Sequence, residues 1–382
     1  MIGILKKFSK KVTSQKPRKK RPLPPGQRLI KYMVFAGSIA FTQIWVSQQG
    51  IQADPTMKPE APIEAPFEPT NELSQLSEEL VNMNKSKTSV AGIYAIDLDT
   101  GEYVDVNGNK AFSAASIIKV PILVSLLTAC ERGEASLDDM LEITKEVVTS
   151  GSGHLQWRKL GTKISARQAA QLMMTISDNT ATNMLIDYLG GKSKLNREFK
   201  KWGMRETKIN NYLVDIEGTN LTCPYDQVFL MARIDKGDVI NEESKTFMYE
   251  LMGHCKNRSM LPQGIGAIDP AAEIIHKTGT IGIMVGDAGI VTTRSGKRIG
   301  IAIQVQRRRN DSSASNLIRR MAAITYNQIE NDTMSIPETA FAPKVRVRIS
   351  KHHSRHHIAR GKHKSVHKLI ASKSKKKKRR FA

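Results

Sequence analysis

The run IIHKTGTIGIMVGDAGIVTTRSGKRIGIAIQVQ, residues 274–306, decides the fold class. It contains three segments of strand character, 274–280, 286–293 and 298–306, rich in Ile, Val and Thr. Working outward, the spacing predicts a helix over 315–330 after the last strand, and helices over 166–176 and 180–189 before the first. Gly190-Gly191 stops the second of these two. Further upstream, NELSQLSEELVNMN has helical apolar spacing at Leu73, Leu76, Leu80 and Met83. VAGIYAIDL (90–98) reads as a strand closed by an Asp99-Thr100-Gly101 turn. A strand, a helical middle, several strands and a closing helix predict an α+β domain of about 260 residues, expected over 73–335.

The chain has 382 residues, 40% of them hydrophobic and 25% charged, so it can bury a core and is not wholly disordered. Its formal charge of +23 sits at the ends: residues 1–31 carry 11 Lys and Arg and no acid, and residues 344–382 carry 16 and no acid. The interior is slightly acidic, which argues against a single basic nucleic-acid-binding domain. Three cysteines (Cys130, Cys223, Cys255) without a CxxC pair give neither a disulfide framework nor a zinc site. Six of the nine histidines lie in the basic tail, so no metal or cofactor is expected.

From Tyr32 to Gln52 no residue is charged, a length that suits one membrane pass at helical rise. The basic residues before it stay cytoplasmic by the positive-inside rule, and the rest is exported. The segment is a retained anchor or a cleaved signal peptide, with Ala53 at the cleavage point. Residues 53–72, with Pro55, Pro59, Pro62, Pro66 and Pro69, read as an extended spacer. The tail 336–382, ending in KSKKKKRR over 373–380, reads as a solvated disordered segment or as a holder of anionic envelope polymer or lipid headgroups.

Three short motifs follow in order: Ser116-Ile117-Ile118-Lys119, Ser177-Asp178-Asn179 and Lys277-Thr278-Gly279. The first pattern alone carries little weight, since the lysine-rich tail matches it at Ser372 and Ser374; the other two each occur once. Ser116 and Lys119 are three apart at a helix start and share one face. A serine hydroxyl needs a base within hydrogen-bond reach, and a lysine serves if burial and a neighbouring cation, here Lys277, lower its pKa. Asp178 is placed to cap the helix after it. Gly279, on a strand facing the cleft, is expected to allow close approach of a substrate backbone.

With separations of 61 and 100 residues, the motifs and their surroundings (AFSAASIIKVPIL, LMMTISDNTATNMLIDYLGG, IIHKTGTIG with GDAGIV) make the chain resemble the serine penicillin-recognising enzymes, most closely the class A β-lactamase-like family. The resemblance spans about residues 89–330. It implies an antiparallel sheet flanked by helices with a helical subdomain, and acyl transfer to a β-lactam or a D-Ala-D-Ala-type amide. It implies Ser116 as nucleophile, Lys119 as activator, Ser177 as proton shuttle to the leaving nitrogen, and Asn179 as donor to Lys119 and the substrate amide. Lys277 and Thr278 then hold the substrate carboxylate, and the backbone amides of Ser116 and Thr280 form the oxyanion hole; Arg258 and Arg294 read as surface positions ahead of assistants to Lys277. Gly151-Ser152-Gly153 implies a cleft-edge loop near His154 and Trp157, without a catalytic role.

The family's deacylating glutamate lies on a loop before a Thr-x-Pro segment. Here that segment is Thr222-Cys223-Pro224, the loop before it (210–221) is shorter, and no Glu falls at the expected offset. Glu217 and Asp215 are the candidate substitutes, or ordinary loop carboxylates. Three readings follow: a β-lactamase, a cell-wall carboxypeptidase or transpeptidase acting on the peptidoglycan stem peptide, and a non-catalytic envelope-binding protein.

Overall fold

A computed structural model describes residues 65–85 and 88–341. The basic N-terminal segment, the uncharged run 32–52, most of the proline-rich stretch and the basic tail beyond 341 lie outside the described residues. Among the described residues no helix is long and apolar enough to cross a membrane.

A six-stranded sheet forms the centre. Its strands are β1 (Asn71–Glu72), β2 (Val90–Asp97), β3 (Glu102–Val106), β4 (Glu273–Ile281), β5 (Met284–Thr292) and β6 (Arg298–Gln306), in the spatial order β1-β3-β2-β6-β5-β4. All neighbours are antiparallel except β1, which runs parallel to β3. The three strands read from residues 274–306 are thus adjacent, and β4 lies at the sheet's edge. Packed structure begins ahead of residue 73: Phe67 is buried against Tyr94, Tyr225 and Phe229, and Thr70 N donates to Gly101 O (2.9 Å). The prolines of the spacer reading do not prevent this, because Phe67 supplies the buried apolar area that holds the segment down.

Side-chain alternation sends Ile93, Ile299, Ile301, Ile303 and Val305 to one face of the sheet, under α1 (Ser74–Met83) and the closing helix Ser313–Asn331. Tyr94, Ile96, Ala288, Ile290 and Ala302 face the other way, into a helical layer. With both faces covered the strands read as nearly continuous apolar runs. At the centre of that layer is α2 (Lys119–Glu131), in which every residue from Lys119 to Ala129 is buried. Its sequence VPILVSLLTA has no polar face, so it can only run through a core, and it takes Lys119 inside with it. Against it lie α3 (Ala166–Thr175), opened by a Ser165/Gln168 capping box, and α4 (Asn179–Tyr188), capped by Asp178, whose Oδ1 accepts from Ala181 N (2.9 Å).

Candidate active site

Ser116 sits in a short 3-10 turn, Ala115–Ile118, that leads directly into α2. Ala115 has φ of 43°, a left-handed backbone that an alanine rarely adopts, immediately before the serine. One turn on, Lys119 is 0% exposed, and its Nζ reaches four oxygens: Ser116 Oγ (3.1 Å), Ser177 O (2.7 Å), Ser177 Oγ (3.0 Å) and Asn179 Oδ1 (2.9 Å). No carboxylate is among them. Burial, and then the charge of Lys277, push the Lys119 pKa well below the ordinary lysine value. An amine in that state can hold its lone pair towards Ser116 Oγ and accept its proton.

Ser177, with φ of 61°, turns the chain between α3 and α4 so that both its hydroxyl and its carbonyl face Lys119. Asp178 does more than cap α4. Its Oδ2 accepts from His154 N (2.8 Å) and Leu155 N (3.0 Å), which pins the loop 151–155 to the motif. The glycines of that loop are required by contact. A β-carbon on Gly153 would lie 2.1 Å from Asp178 Oδ2 and one on Gly151 2.8 Å from Asn179 Nδ2, and both glycines have φ of 96°. Gly151 and Ser152 line the cleft, while Trp157, at the loop's far end, is 81% exposed.

Two cavities of about 230 Å³ each meet at Ser116, Ser152 and Thr280. The first, also lined by Ser177, Lys277, Thr278, Cys255 and Lys256, is the cationic one. Lys277 is 1% exposed, donates to Thr278 O (2.9 Å), and has its pKa lowered by burial. Lys256 is exposed, its amide fixed by Thr175 O (2.9 Å). Arg258 and Arg294 do not line either cavity: Arg258 donates to Gly253 O, and Arg294 pairs with Asp269 at 3.0 Å. Gly279 has a close neighbour within the protein. Its missing side chain makes room for the turn that carries Ser116, since a β-carbon there would lie 2.9 Å from Ile117 Cγ1 and 3.1 Å from Ile117 N and Ala114 O. The glycine seats β4 against the Ser116 turn and lines neither cavity.

The second cavity is walled by Leu213, Val214, Asp215, Ile216, Ile281 and Gly282. The loop that supplies its wall is closed by its own hydrogen bonds. Asp215 Oδ1 accepts from Thr219 Oγ1 (2.8 Å) and Oδ2 from Asn220 N (2.6 Å). Asn220 Oδ1 accepts from the amides of Asn210 and Asn211. Each Asp215 oxygen therefore accepts one hydrogen bond from its own loop. Glu217 is exposed and lines neither cavity. An apolar residue of this wall is anchored from α4: Leu213 N donates to Asn183 Oδ1 (2.8 Å), and Asn183 Nδ2 donates to Leu213 O (2.6 Å).

Sequence reasoning missed Leu213, Asn183 and Lys256. Asn183 carried a usable signal, one turn after Asn179 on the same helix face, whereas Leu213 and Lys256 sit in loops with no periodic pattern.

A serine hydroxyl served by a buried amine, with a lysine-bearing sheet edge across the cleft, defines a serine hydrolase of the class A type. Comparison with known proteins gives the same answer. A model of the β-lactamase enzyme family matches residues 72–329, and the chain belongs to that family. β-Lactamase CARB-4 of Pseudomonas aeruginosa is 26% identical over 214 residues, 53% of this chain and 74% of the relative. β-Lactamase PSE-4 of the same organism is 27% identical over 39% of this chain and 52% of its own length. Among solved structures, PBP-A is 39% identical with a TM-score of 0.68, over 69% of this chain and 99% of its own. A mutant of PBP-A, solved as an acyl-enzyme complex with penicillin G, is 38% identical with a TM-score of 0.67, over 69% of this chain and all of its own.

Proposed function

We propose that this protein is a penicillin-binding peptidase of the class A type: Ser116 is acylated by β-lactams and by amides of the D-Ala-D-Ala kind, and a β-lactam-derived acyl group leaves slowly. Ser116 attacks the carbonyl while Lys119 takes its proton. Ser177 Oγ, 3.0 Å from Lys119 Nζ, passes a proton to the leaving nitrogen. Lys277 and Thr278, with Lys256 beside them, receive the carboxylate in the cationic cavity. The backbone amides of Ser116 and Thr280 receive the oxyanion, each donor contributing about 3–4 kcal/mol in the transition state. The observation that supports slow release is the wall of the second cavity: Leu213 lines it together with Ser116, and each Asp215 oxygen already accepts a hydrogen bond from its own loop. Water entering there meets one carboxylate, Asp215, held in place by those bonds and so poorly placed to turn towards it. The expected export of this domain behind residues 32–52 fits a substrate in the cell envelope.

β-Lactamase activity is the second reading, supported by the sequence likeness to CARB-4. A chromogenic cephalosporin mixed with residues 53–382 distinguishes them. A burst of one equivalent and a lasting mass adduct on Ser116 support the peptidase, continuous turnover supports the β-lactamase, and no reaction leaves a non-catalytic envelope-binding protein.

A further inference from the structure

Lys277 is buried in the cationic cavity, and among the described residues it makes no ion pair. Of the groups that face it, Lys119 on α2 and the exposed Lys256 are cations, and Cys255 is a thiol. Asp178, the carboxylate near Lys119, is taken up by the amides of His154, Leu155 and Ala181. The carboxylate near Lys277 comes from the neighbouring strand. Asp287, on β5, stands across the ladder from Thr278, the residue after Lys277, and is fully buried. Its Oδ2 accepts from Leu261 N (3.0 Å), at the start of the short helix Leu261–Ile265, and its Oδ1 accepts from His276 Nδ1 (2.9 Å). His276 is equally buried on β4 and lies over Gly289, where a β-carbon would come 2.9 Å from the His276 Cβ. A carboxylate only accepts, so Nδ1 carries the hydrogen. His276 Nε2 is buried without a partner among the described residues, and a proton there would be an unpaired buried donor. The pair is thus built as a neutral imidazole donating to a carboxylate, with one negative charge between them.

We propose that Asp287 is a positioning residue for substrate binding: its buried charge keeps Lys277 an ammonium, able to take the substrate carboxylate, while His276 and Leu261 N hold that charge in place. An ammonium taken out of water gives up its proton readily, and a fixed carboxylate one strand away opposes the loss. In Lys277 burial lowers the pKa, and Cys255 and then Asp287 act against it. A thiol contributes only once ionised, whereas a carboxylate contributes throughout the neutral range. The two buried lysines of the site are in this way held in opposite states. Lys119, which must be neutral to accept the Ser116 proton, touches four uncharged oxygens, and Lys277, which must be charged, has Asp287 behind it. Without that charge Lys277 loses its proton at lower pH, and carboxylate binding fails from the alkaline side. This inference rests on the acyl-enzyme reading above and extends it to how the leaving-group carboxylate is held.

The test uses the full chain, penicillin G and its methyl ester, in which the carboxylate is capped. The readouts are the half-saturating concentration and the maximal rate of Ser116 acylation across the neutral and alkaline range. Asp287→Asn is expected to raise the half-saturating concentration of penicillin G about tenfold on the alkaline side, the effect of a pKa moved by about one unit, with a smaller change in the maximal rate. The ester, which has no charge to read, shows no such rise. Asp287→Ser, a second neutral replacement, gives the same split, and His276→Asn, whose amide still donates to the carboxylate, keeps the wild-type pH dependence. A half-saturating concentration that rises equally for penicillin G and its ester leaves Asp287 a structural role and overturns the counter-charge, as does a wild-type profile in both neutral variants; the acyl-enzyme reading stands in either case. Failure of both compounds to acylate Ser116 in the wild type overturns that reading and this inference together.

Discussion

The floor and the wall of the cleft are both saturated with hydrogen bonds, but to opposite ends. On the floor, Lys119 Nζ gathers Ser116, Ser177 and Asn179, and every bond converges on the one buried amine. On the wall, Asp215, Thr219, Asn220, Asn210 and Asn211 bond to one another in a loop whose Leu213 and Asp215 line the Ser116 cavity. The same polar residue types thus make a reactive centre in one place and an inert brace in the other. What separates them is the partner: on the floor a buried amine is held against a serine hydroxyl, and on the wall a carboxylate is held by its own loop. Under the proposed function, such a site makes an acyl-enzyme readily and breaks it slowly.

The contrast is most severely tested on the floor. Ser116→Ala abolishes the mass adduct with penicillin, and Lys119→Met lowers the acylation rate about 10³-fold or more, as loss of a positioned base does. An adduct that forms at the normal rate without Lys119 would remove it as the base.

Leu213→Glu attacks the wall. With Asn183 holding the backbone at 213, a carboxylate there projects into the Ser116 cavity and supplies the missing base. Release of the acyl group should then quicken about 10²-fold, read as steady-state hydrolysis after the burst. If release does not change, the slow step lies elsewhere than in the missing carboxylate.

The pH profile sharpens the floor further. Lys119 must be neutral to take the serine proton, and burial has lowered its pKa. Acylation should therefore be level above that depressed pKa and fall about tenfold per unit below it. Folding stability follows the same sign. Between the depressed native value and the free lysine value of about 10.4, the unfolded chain binds more protons, so stability rises with pH across that window. Denaturant midpoints of the wild type and of Lys119→Met, taken at several pH values, check this: the slope should be smaller in the variant.

Gly153→Ala probes the brace between the two regions. The added carbon collides with Asp178 at a left-handed position, and a loss of about 2–3 kcal/mol is expected by denaturant unfolding. The smallest effect belongs to Glu217→Gln. Exposed and outside both cavities, it should leave release of the acyl group unchanged and stability within about 0.5 kcal/mol.

Much of the molecule was legible in advance. The strands over 274–306, the helix start at Ser116–Lys119 and the Asp178 cap followed from local pattern, because period, composition and capping chemistry act over a few residues. Ser116, Lys119, Ser177, Asn179, Lys277, Thr278 and Thr280 were legible from motif order, and they do converge. Gly279 was read as a close-approach glycine, but the Ser116 turn it packs against was not legible, since a strand pattern does not say what lies across from it. Phe67 was hidden among prolines, where composition outweighed the one residue that packs.

The amino-acid sequence by itself determined the family, the α+β class and which serine and lysines could react, since these depend on residue type and spacing along the chain. Only the tertiary structure decided that both Asp215 oxygens accept hydrogen bonds from their own loop, that Leu213 lines the Ser116 cavity, and that Gly279 seats its strand against the Ser116 turn. The orientation of a carboxylate and the fit of a glycine are set by hydrogen-bond partners and steric neighbours that tertiary packing brings together, and those are fixed only when the chain has folded.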